Sequence, residues 1–251
     1  MKLHSLTTIQ KVLFISSFII IFIIGGVIGS LSILKDEAIE THLKIAKLHS
    51  ETLAEHISQT FDNIDLTIDS LNTILNNIED INLLENEFKN ILTKNSYIRS
   101  INFLDEHKRV IYSSNLSNLT LYLDTTDFYP KPFFNKHILQ FGNPWIGRDL
   151  IDGIEVTKAD DISKSASTFL PVLKMINLNQ KEFYILININ SEYFINKYID
   201  NLTEEFATFN LIRVDNTILF SSNENITIGS KIKNSHLIEK VLNSGKSSGI
   251  D

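Results

Sequence analysis

The apolar positions of the chain fall into three rhythms. From Val12 to Leu34 they are almost unbroken: VLFISSFIIIFIIGGVIGSLSIL contains no charged residue. Those 23 residues (34 − 12 + 1), at ~1.5 Å rise each, cover the ~30 Å hydrocarbon core of a bilayer. A helix apolar on every face over this length predicts a membrane span. From Asp36 to Glu79 the rhythm is helical: Ile39, Leu43, Ala46, Leu53, Ile57, Phe61, Ile64, Ile68, Leu71, Leu75 and Ile78 recur at steps of three and four, with one gap at Ser50. No Pro or Gly interrupts that stretch, so one long helix is expected. After a polar break at residues 76–82, Leu83 to Thr93 fits a second, shorter helix.

The third rhythm is alternation. Tyr97 to Leu104 alternates and ends at Asp105, and Arg109 to Ser113 resumes after a charged turn, which predicts a β-hairpin. Asp127 to Leu139, with Pro130 and Pro132 at its start, reads as a short helix carrying Phe128, Phe133, Phe134 and Ile138. Residues 141–153 read as loop with Trp145, and strands are expected at Ile154–Thr157, Ser167–Met175 and Glu182–Ile189. Ser191 is placed to cap a helix running to Asn201. The hairpin pattern then returns: strand, Asp215, turn, Ile218-Leu219-Phe220 and Ser221-Ser222-Asn223 repeat the earlier strand, Asp105, Val110-Ile111-Tyr112 and Ser113-Ser114-Asn115. Matching Asp105 to Asp215 requires two residues' difference in the turn. A repeat on this scale implies two lobes of one fold in tandem.

The charged flanks refine the first rhythm. A cleaved signal peptide shares the basic N-terminus, but its apolar region is ~7–15 residues and ends in an A-x-A-like site. Gly29-Ser30-Leu31-Ser32 fits that poorly, so an uncleaved anchor is expected. Lys2 and Lys11 precede the span and Asp36, Glu37 and Glu40 follow it, which puts the N-terminus in the cytoplasm and the bulk outside the inner membrane. Gly25 and Gly29 form a G-x-x-x-G spacing, a weak helix-pairing signal. The apolar stripe of the long helix must be covered, by its own domain or by a second copy; a homodimer through the Ile39–Ile78 helix is the expectation.

Composition excludes more than it assigns. The formal charge of −7 leaves no basic face for nucleic acid. The absence of Cys removes disulfides and thiol chemistry. His42, His49 and His56 recur every seven residues, whereas metal ligands on a helix need spacings of three or four, so no metal site is expected. No phosphate loop, H-E-x-x-H or G-x-S-x-G occurs, so no catalytic residue and no cofactor are expected. Four Asn-x-Ser/Thr matches (Asn115, Asn118, Asn201, Asn225) are unremarkable in so Asn-rich a chain. The candidate binding residues are Tyr129, Trp145, Arg148, Asp149 and Asp152, an aromatic floor with one guanidinium and carboxylates. The plainer reading of the same stretch also stands: Trp145 caps the core and Arg148 pairs with Asp149 or Asp152.

The order of elements, the two Asp-turn-Ser-Ser-Asn hairpins, the Phe128–Phe134 region, Phe183–Ile189 before the linking helix and Ile228-Gly229 after the second hairpin together resemble the extracytoplasmic double Cache sensors. The resemblance implies an α+β fold: an N-terminal transmembrane helix continuing into a long extracytoplasmic helix, then tandem PAS-like lobes with antiparallel sheets. It implies a cytoplasmic N-terminus at 1–11, a span at 12–34, a signalling and dimerisation helix at 35–80, a membrane-distal lobe at 81–202 and a partial membrane-proximal lobe at 203–251. It also implies a ligand-sensing periplasmic module of a bacterial transmembrane signal-transduction receptor (chemotaxis receptor, sensor histidine kinase or diguanylate cyclase) that binds a small molecule in the distal lobe. Two departures stand out. Only 224–251 follow the second hairpin, so a fragment truncated within the second lobe, poorly ordered from about Glu224, is expected. Phe133, Phe134, Asn135 and Lys136 replace the Arg and Trp of amino-acid-binding members, which does not support an amino-acid ligand. A membrane-tethered interaction protein without signalling output is the alternative, and an anchored hydrolase is disfavoured for want of a nucleophile or metal set.

Overall fold

The computed structural model describes residues 8–77, 81–129, 137–156, 167–178, 180–193, 196, 208–223 and 225–232. The described residues divide into two compact units, 8–52 and 53–232. Helix α1 runs from Thr8 to Asn77, as the uninterrupted apolar periodicity requires.

In the first unit the described side chains of the apolar run are exposed, Phe14 at 71% and Phe22 at 76% among them. Such a surface is unstable in water and fits a helix long and apolar enough to cross a membrane. Beyond it, Lys44 pairs with Glu40 at 2.7 Å and Lys47 with Glu51 at 3.8 Å, both one turn apart. Ile39, Leu43, Ile45 and Leu48 remain exposed there.

The second unit is built on an antiparallel sheet ordered β2-β1-β6-β5-β3, with β4 also on β5. The strands are β1 (Ile98–Leu104), β2 (Val110–Ser113), β3 (Gln140–Phe141), β4 (Trp145–Ile146), β5 (Thr168–Leu178) and β6 (Lys181–Asn190). Alternation sorts the side chains onto two faces. On one face Ile101 and Phe103 of β1, Leu170, Val172 and Ile176 of β5, and Ile185, Ile187 and Ile189 of β6 pack with Ile57, Ile64, Ile68 and Leu71 of α1. Leu84, Phe88 and Ile91 of α2 (Ile81–Lys94) complete that core. The lower part of the α1 stripe is thus covered by its own domain. On the other face Leu104, Phe169, Leu173 and Leu186 meet Val110, Leu123, Phe128 and Leu150.

One charge interrupts the α1 face. Lys174 of β5 stands 2.8 Å from Asp65 and 2.7 Å from Asp69, one turn apart on α1. Burial would push its ammonium down, but the two carboxylates more than reverse that, so its pKa is raised. Its contribution is therefore complete below the unfolded-state value of ~10.4 and lost only as pH rises through the folded value. Asp65 and Asp69 are about half exposed, at 42% and 55%, whereas Lys174 is 9% exposed. Lys174→Met should therefore shift stability by no more than about 1 kcal/mol, since the carboxylates rehydrate. Asp65→Asn with Asp69→Asn strands the ammonium and should cost about 2 kcal/mol, read as a lower denaturation midpoint.

The repeated hairpin is a structural repeat in detail. Strands β7 (Asn210–Ile212) and β8 (Ile218–Ser221) pair with the same register shift as β1 and β2: Leu104↔Val110 corresponds to Ile212↔Ile218. Ser114 Oγ accepts from Ile101 N and Ser222 Oγ from Phe209 N, both at 2.9 Å. Ser113 Oγ accepts from Asn115 N and Ser221 Oγ from Asn223 N, both at 3.0 Å. Lys108 and Asn216 hold the left-handed turn position at φ 64° and 70°. The offset is a constant 108 (221 − 113), with no insertion. The match of Asp105 to Asp215 is therefore corrected: Asp105 corresponds to Arg213. Asp105 Oδ1 accepts from His107 N and Arg109 N at 2.9 Å, closing its turn on itself.

In the second hairpin Arg213 pairs with Asp215 through Nε at 2.9 Å and Nη2 at 2.9 Å. The guanidinium holds the Asp215 carboxyl well below the usual carboxylate range. Because that pKa is lowered, the pair's stabilisation is complete above the unfolded value of ~3.9 and fades only as pH falls below it. Denaturation midpoints of the wild type and Asp215→Asn should differ by a constant amount from pH 8 to 5 and converge towards pH 2.

Other sequence expectations need correction. Of the strand expected at Ile154–Thr157, Ile154–Val156 is instead the end of helix α3 (Leu150–Val156), because the Gly147–Asp152 turn starts a helix there, and Thr157 lies outside the described residues. The loop at 141–153 contains β3 and β4 and the first residues of α3. Residues 225–232 are tied to the hairpin, with Ile218 N donating to Ser230 O at 2.9 Å and Ile232 N to Asn216 O at 2.9 Å. The expected helix at 127–139 falls mostly on 130–136, outside the described residues, as do most of the helix after Ser191 and all of 233–251.

Candidate functional site

On the sheet face away from α1, polar residues take positions that alternation would give to apolar ones. Ser100 and Asn102 of β1 and Asn188 of β6 are each fully buried, and the Asp149 carboxylate, at the start of α3, lies among them. Buried carboxylates are costly unless well supplied with donors. Asp149 Oδ1 accepts from Ser100 Oγ at 2.7 Å, Asn188 Nδ2 at 2.6 Å and Leu150 N at 2.8 Å, while Oδ2 accepts from Asn115 Nδ2 at 2.8 Å. Around it Asn102 Nδ2 donates to Ser100 Oγ at 3.1 Å, and Asn102 Oδ1 accepts from Ser113 Oγ at 2.6 Å and Asn118 Nδ2 at 3.1 Å. Asn118 Oδ1 accepts from Ile151 N at 3.3 Å, which joins the loop after β2 to α3.

The network's donors to Asp149 are all uncharged, so its negative charge is solvated but not neutralised by contact. One buried acceptor of the network has no hydrogen-bond partner among the described residues, Asn188 Oδ1. Asn188 cannot satisfy Oδ1 by flipping, since its amide then faces Ser100 and Asp149 with an oxygen in place of two used donors. At the rim, Arg99 donates to Arg148 O at 3.2 Å and also to Asn190 Oδ1. Burial lowers the Arg99 pKa, with Glu192 acting against it.

The five expected site residues separate. Asp149 is the network's centre. Trp145 lies on β4, its ring 5.9 Å from Phe169 and in contact with the second core cluster, so it caps that core. Gly153 is required beneath it, because a Cβ there would stand 2.7 Å from the indole. Asp152 Oδ2 accepts from Arg148 N at 3.2 Å across the Gly147 turn, where φ is 116°. The Arg148 side chain is exposed and forms no ion pair with Asp149 or Asp152 among the described residues. Tyr129 is elsewhere: its backbone pairs with Phe141 and its ring lies 5.7 Å from the Arg213 guanidinium. Sequence reading passed over Ser100, Asn102, Asn115, Asn118 and Asn188. For Ser100, Asn102 and Asn188 the signal was available as polar residues at every second position of otherwise apolar strands, IRSINFL and FYILININ; Asn115 and Asn118, in the loop after β2, carried none.

No protein-family model and no curated protein matches this chain. Solved structures do. The extracellular domain of a protein named as a histidine kinase, rpHK1S-Z16, superimposes with TM-score 0.57 at 20% identity, over 78% of this chain and 76% of that one. The periplasmic sensory domain of the Campylobacter jejuni chemoreceptor Tlp1 superimposes with TM-score 0.50 at 13% identity, over 78% and 79%. At these identities the likeness is one of fold: the chain shares the α+β fold of these two domains, with an apolar helix long enough to span a membrane ahead of it.

Proposed function

We propose that the chain is the ligand-sensing extracytoplasmic input module of a bacterial transmembrane signalling protein, with a kinase, chemoreceptor or cyclase as its output. The observation that carries this reading is the buried Asp149 network with the unpartnered Asn188 Oδ1 at its edge. Buried acceptors left open in a folded domain suit a small molecule that presents hydrogen-bond donors. Asp149, Asn188, Ser100 and Asn115 are the residues of this site, with Trp145, Arg148 and Asp152 along its β4–α3 rim and Tyr129 outside it. The apolar run anchors the module in the inner membrane with the N-terminus inside, and Ile39, Leu43 and Ala46 supply the face on which two copies associate. No catalytic role is assigned to the described residues.

Two experiments test this. The chain has no Cys, so single cysteines report topology. In intact cells, Glu106→Cys is expected to react with a membrane-impermeant maleimide and Ser5→Cys is not; the reverse pattern contradicts the orientation. In a thermal-shift screen of the full chain in nanodiscs against small metabolites, at least one compound is expected to raise the melting temperature. Its affinity should fall about tenfold in Asn188→Ala, the loss of one buried hydrogen bond. A binder indifferent to Asn188 contradicts the site.

A further inference from the structure

The second hairpin sends one side chain deep into the first lobe. Arg213 is 7% exposed, and each of its five N–H groups has an acceptor. Nε and one N–H of Nη2 go to Asp215, and the other N–H of Nη2 goes to Asn143 Oδ1 at 2.8 Å. Nη1 donates to Phe141 O at 2.7 Å and to Asp127 O at 3.2 Å. Those carbonyls sit on the two arms of a neck in the first lobe, closed where Tyr129 N donates to Phe141 O at 2.8 Å and Phe141 N to Tyr129 O at 2.9 Å. One planar fork therefore grips both arms of the neck, a geometry an ammonium cannot reproduce. The first lobe supplies an internal control. In the corresponding turn Asp105 takes the place of Arg213 and its carboxylate bonds its own turn's amides, so the same hairpin with no arginine at that position has no such reach.

We propose that Arg213 is an interlobe clasp that passes displacement of the Tyr129–Phe141 neck to the β7–β8 hairpin, with Asp215 holding its fork in register. Leu219 and Phe220 are buried in the main core, so hairpin and lobe stay folded when the clasp is opened, and only the exchange of displacement is lost. The clasp's use in signalling rests on the sensing reading above. Its mechanics do not, because they can be tested without any ligand.

Gly142 is the lever. It lies between two residues that Arg213 holds, has no side chain for the clasp to grip, and a Cβ on it would stand 2.8 Å from both the Phe128 ring and Pro171. Gly142→Ala must therefore shift the neck. The experiment is hydrogen exchange of the full chain in detergent micelles, comparing Gly142→Ala in the wild-type and Arg213→Lys backgrounds. In the wild-type background, the protected amides of Arg213, Asn216 and Ser222 are expected to exchange about tenfold faster. With Arg213→Lys those amides are already fast and Gly142→Ala adds nothing to them, although the amides of Tyr129 and Phe141 still respond. Equal acceleration of the hairpin in both backgrounds overturns the clasp, because the displacement then travels through the core. A hairpin that ignores Gly142→Ala while Tyr129 and Phe141 respond overturns it too. Should Gly142→Ala unfold the domain, Phe128→Leu, which removes the ring against which Gly142 packs, replaces it as the lever and is judged by the same two outcomes. Failure of either pair leaves the ligand site untouched and is separable from failure of the sensing reading.

Discussion

Asp149→Ala is expected to lower the stability of the second unit by about 3 kcal/mol, the larger share of it from orphaned donors. Ser100 Oγ, Asn115 Nδ2, Asn188 Nδ2 and Leu150 N all lose their acceptor at once. Each unsatisfied buried donor costs ~1–3 kcal/mol, but the loss is less than additive because the Ser100 hydroxyl can turn. It already accepts from Asn102 and Asn188 and can seek another partner. Asp149→Asn keeps one carbonyl acceptor and should cost less than half as much. Chemical denaturation of the full chain in micelles separates the two variants; equal midpoints for wild type and Asp149→Ala would show that the network carries no load.

Ile64→Ala is the second large effect, also about 3 kcal/mol. Ile64 is completely buried where α1 meets the sheet, with Ile68 and Leu71 beside it. Truncating a buried Ile removes its transfer energy and leaves a cavity, together ~2–5 kcal/mol, and a rigid helix against the β1, β6 and β5 face of the sheet has little room to collapse. Leu43→Ala, on the same stripe, is the control. Leu43 is 41% exposed, so its loss should leave the stability of the domain within about 0.5 kcal/mol. If two copies associate through that face, Leu43→Ala weakens the dimer seen by crosslinking. A large destabilisation of the domain by Leu43→Ala would contradict the division of the stripe into a domain-packed part and an exposed part.

The elements that sequence made legible were those with long or repeated patterns. Helix α1 follows from seventy residues without a strong breaker outside the membrane run, and β5 and β6 follow from their continuous apolar runs. The hairpin repeat was legible because its Ser-Ser-Asn tail does specific work, capping Phe209 as it caps Ile101. The turn itself was misread, because two aspartates caught the eye where backbone register equates Asp105 with Arg213. Helix α3 was misread as a strand: a seven-residue helix has too few apolar positions to set a period, and its start depends on its own Asp152 and on Asn118 from the loop after β2. The site was half legible. Asp149 stood out as a charge, but its partners are ordinary Ser and Asn whose role comes from strand pairing across Asn102↔Leu186 and Ser100↔Asn188. Tyr129 was grouped with Trp145 by nearness along the chain, whereas its ring faces Arg213 from the second hairpin.

The central claim is that the Asp149 face holds a small molecule, and the lone tryptophan offers the most direct measurement. Trp145 lies on β4, next to the Gly147–Asp149 turn. A stabilising compound from the screen, titrated into the full chain in nanodiscs, should change Trp145 emission saturably. The same titration of Asn188→Ala should need about tenfold more compound. Saturable binding with identical midpoints in the two proteins would contradict the account and move the site away from this face of the sheet.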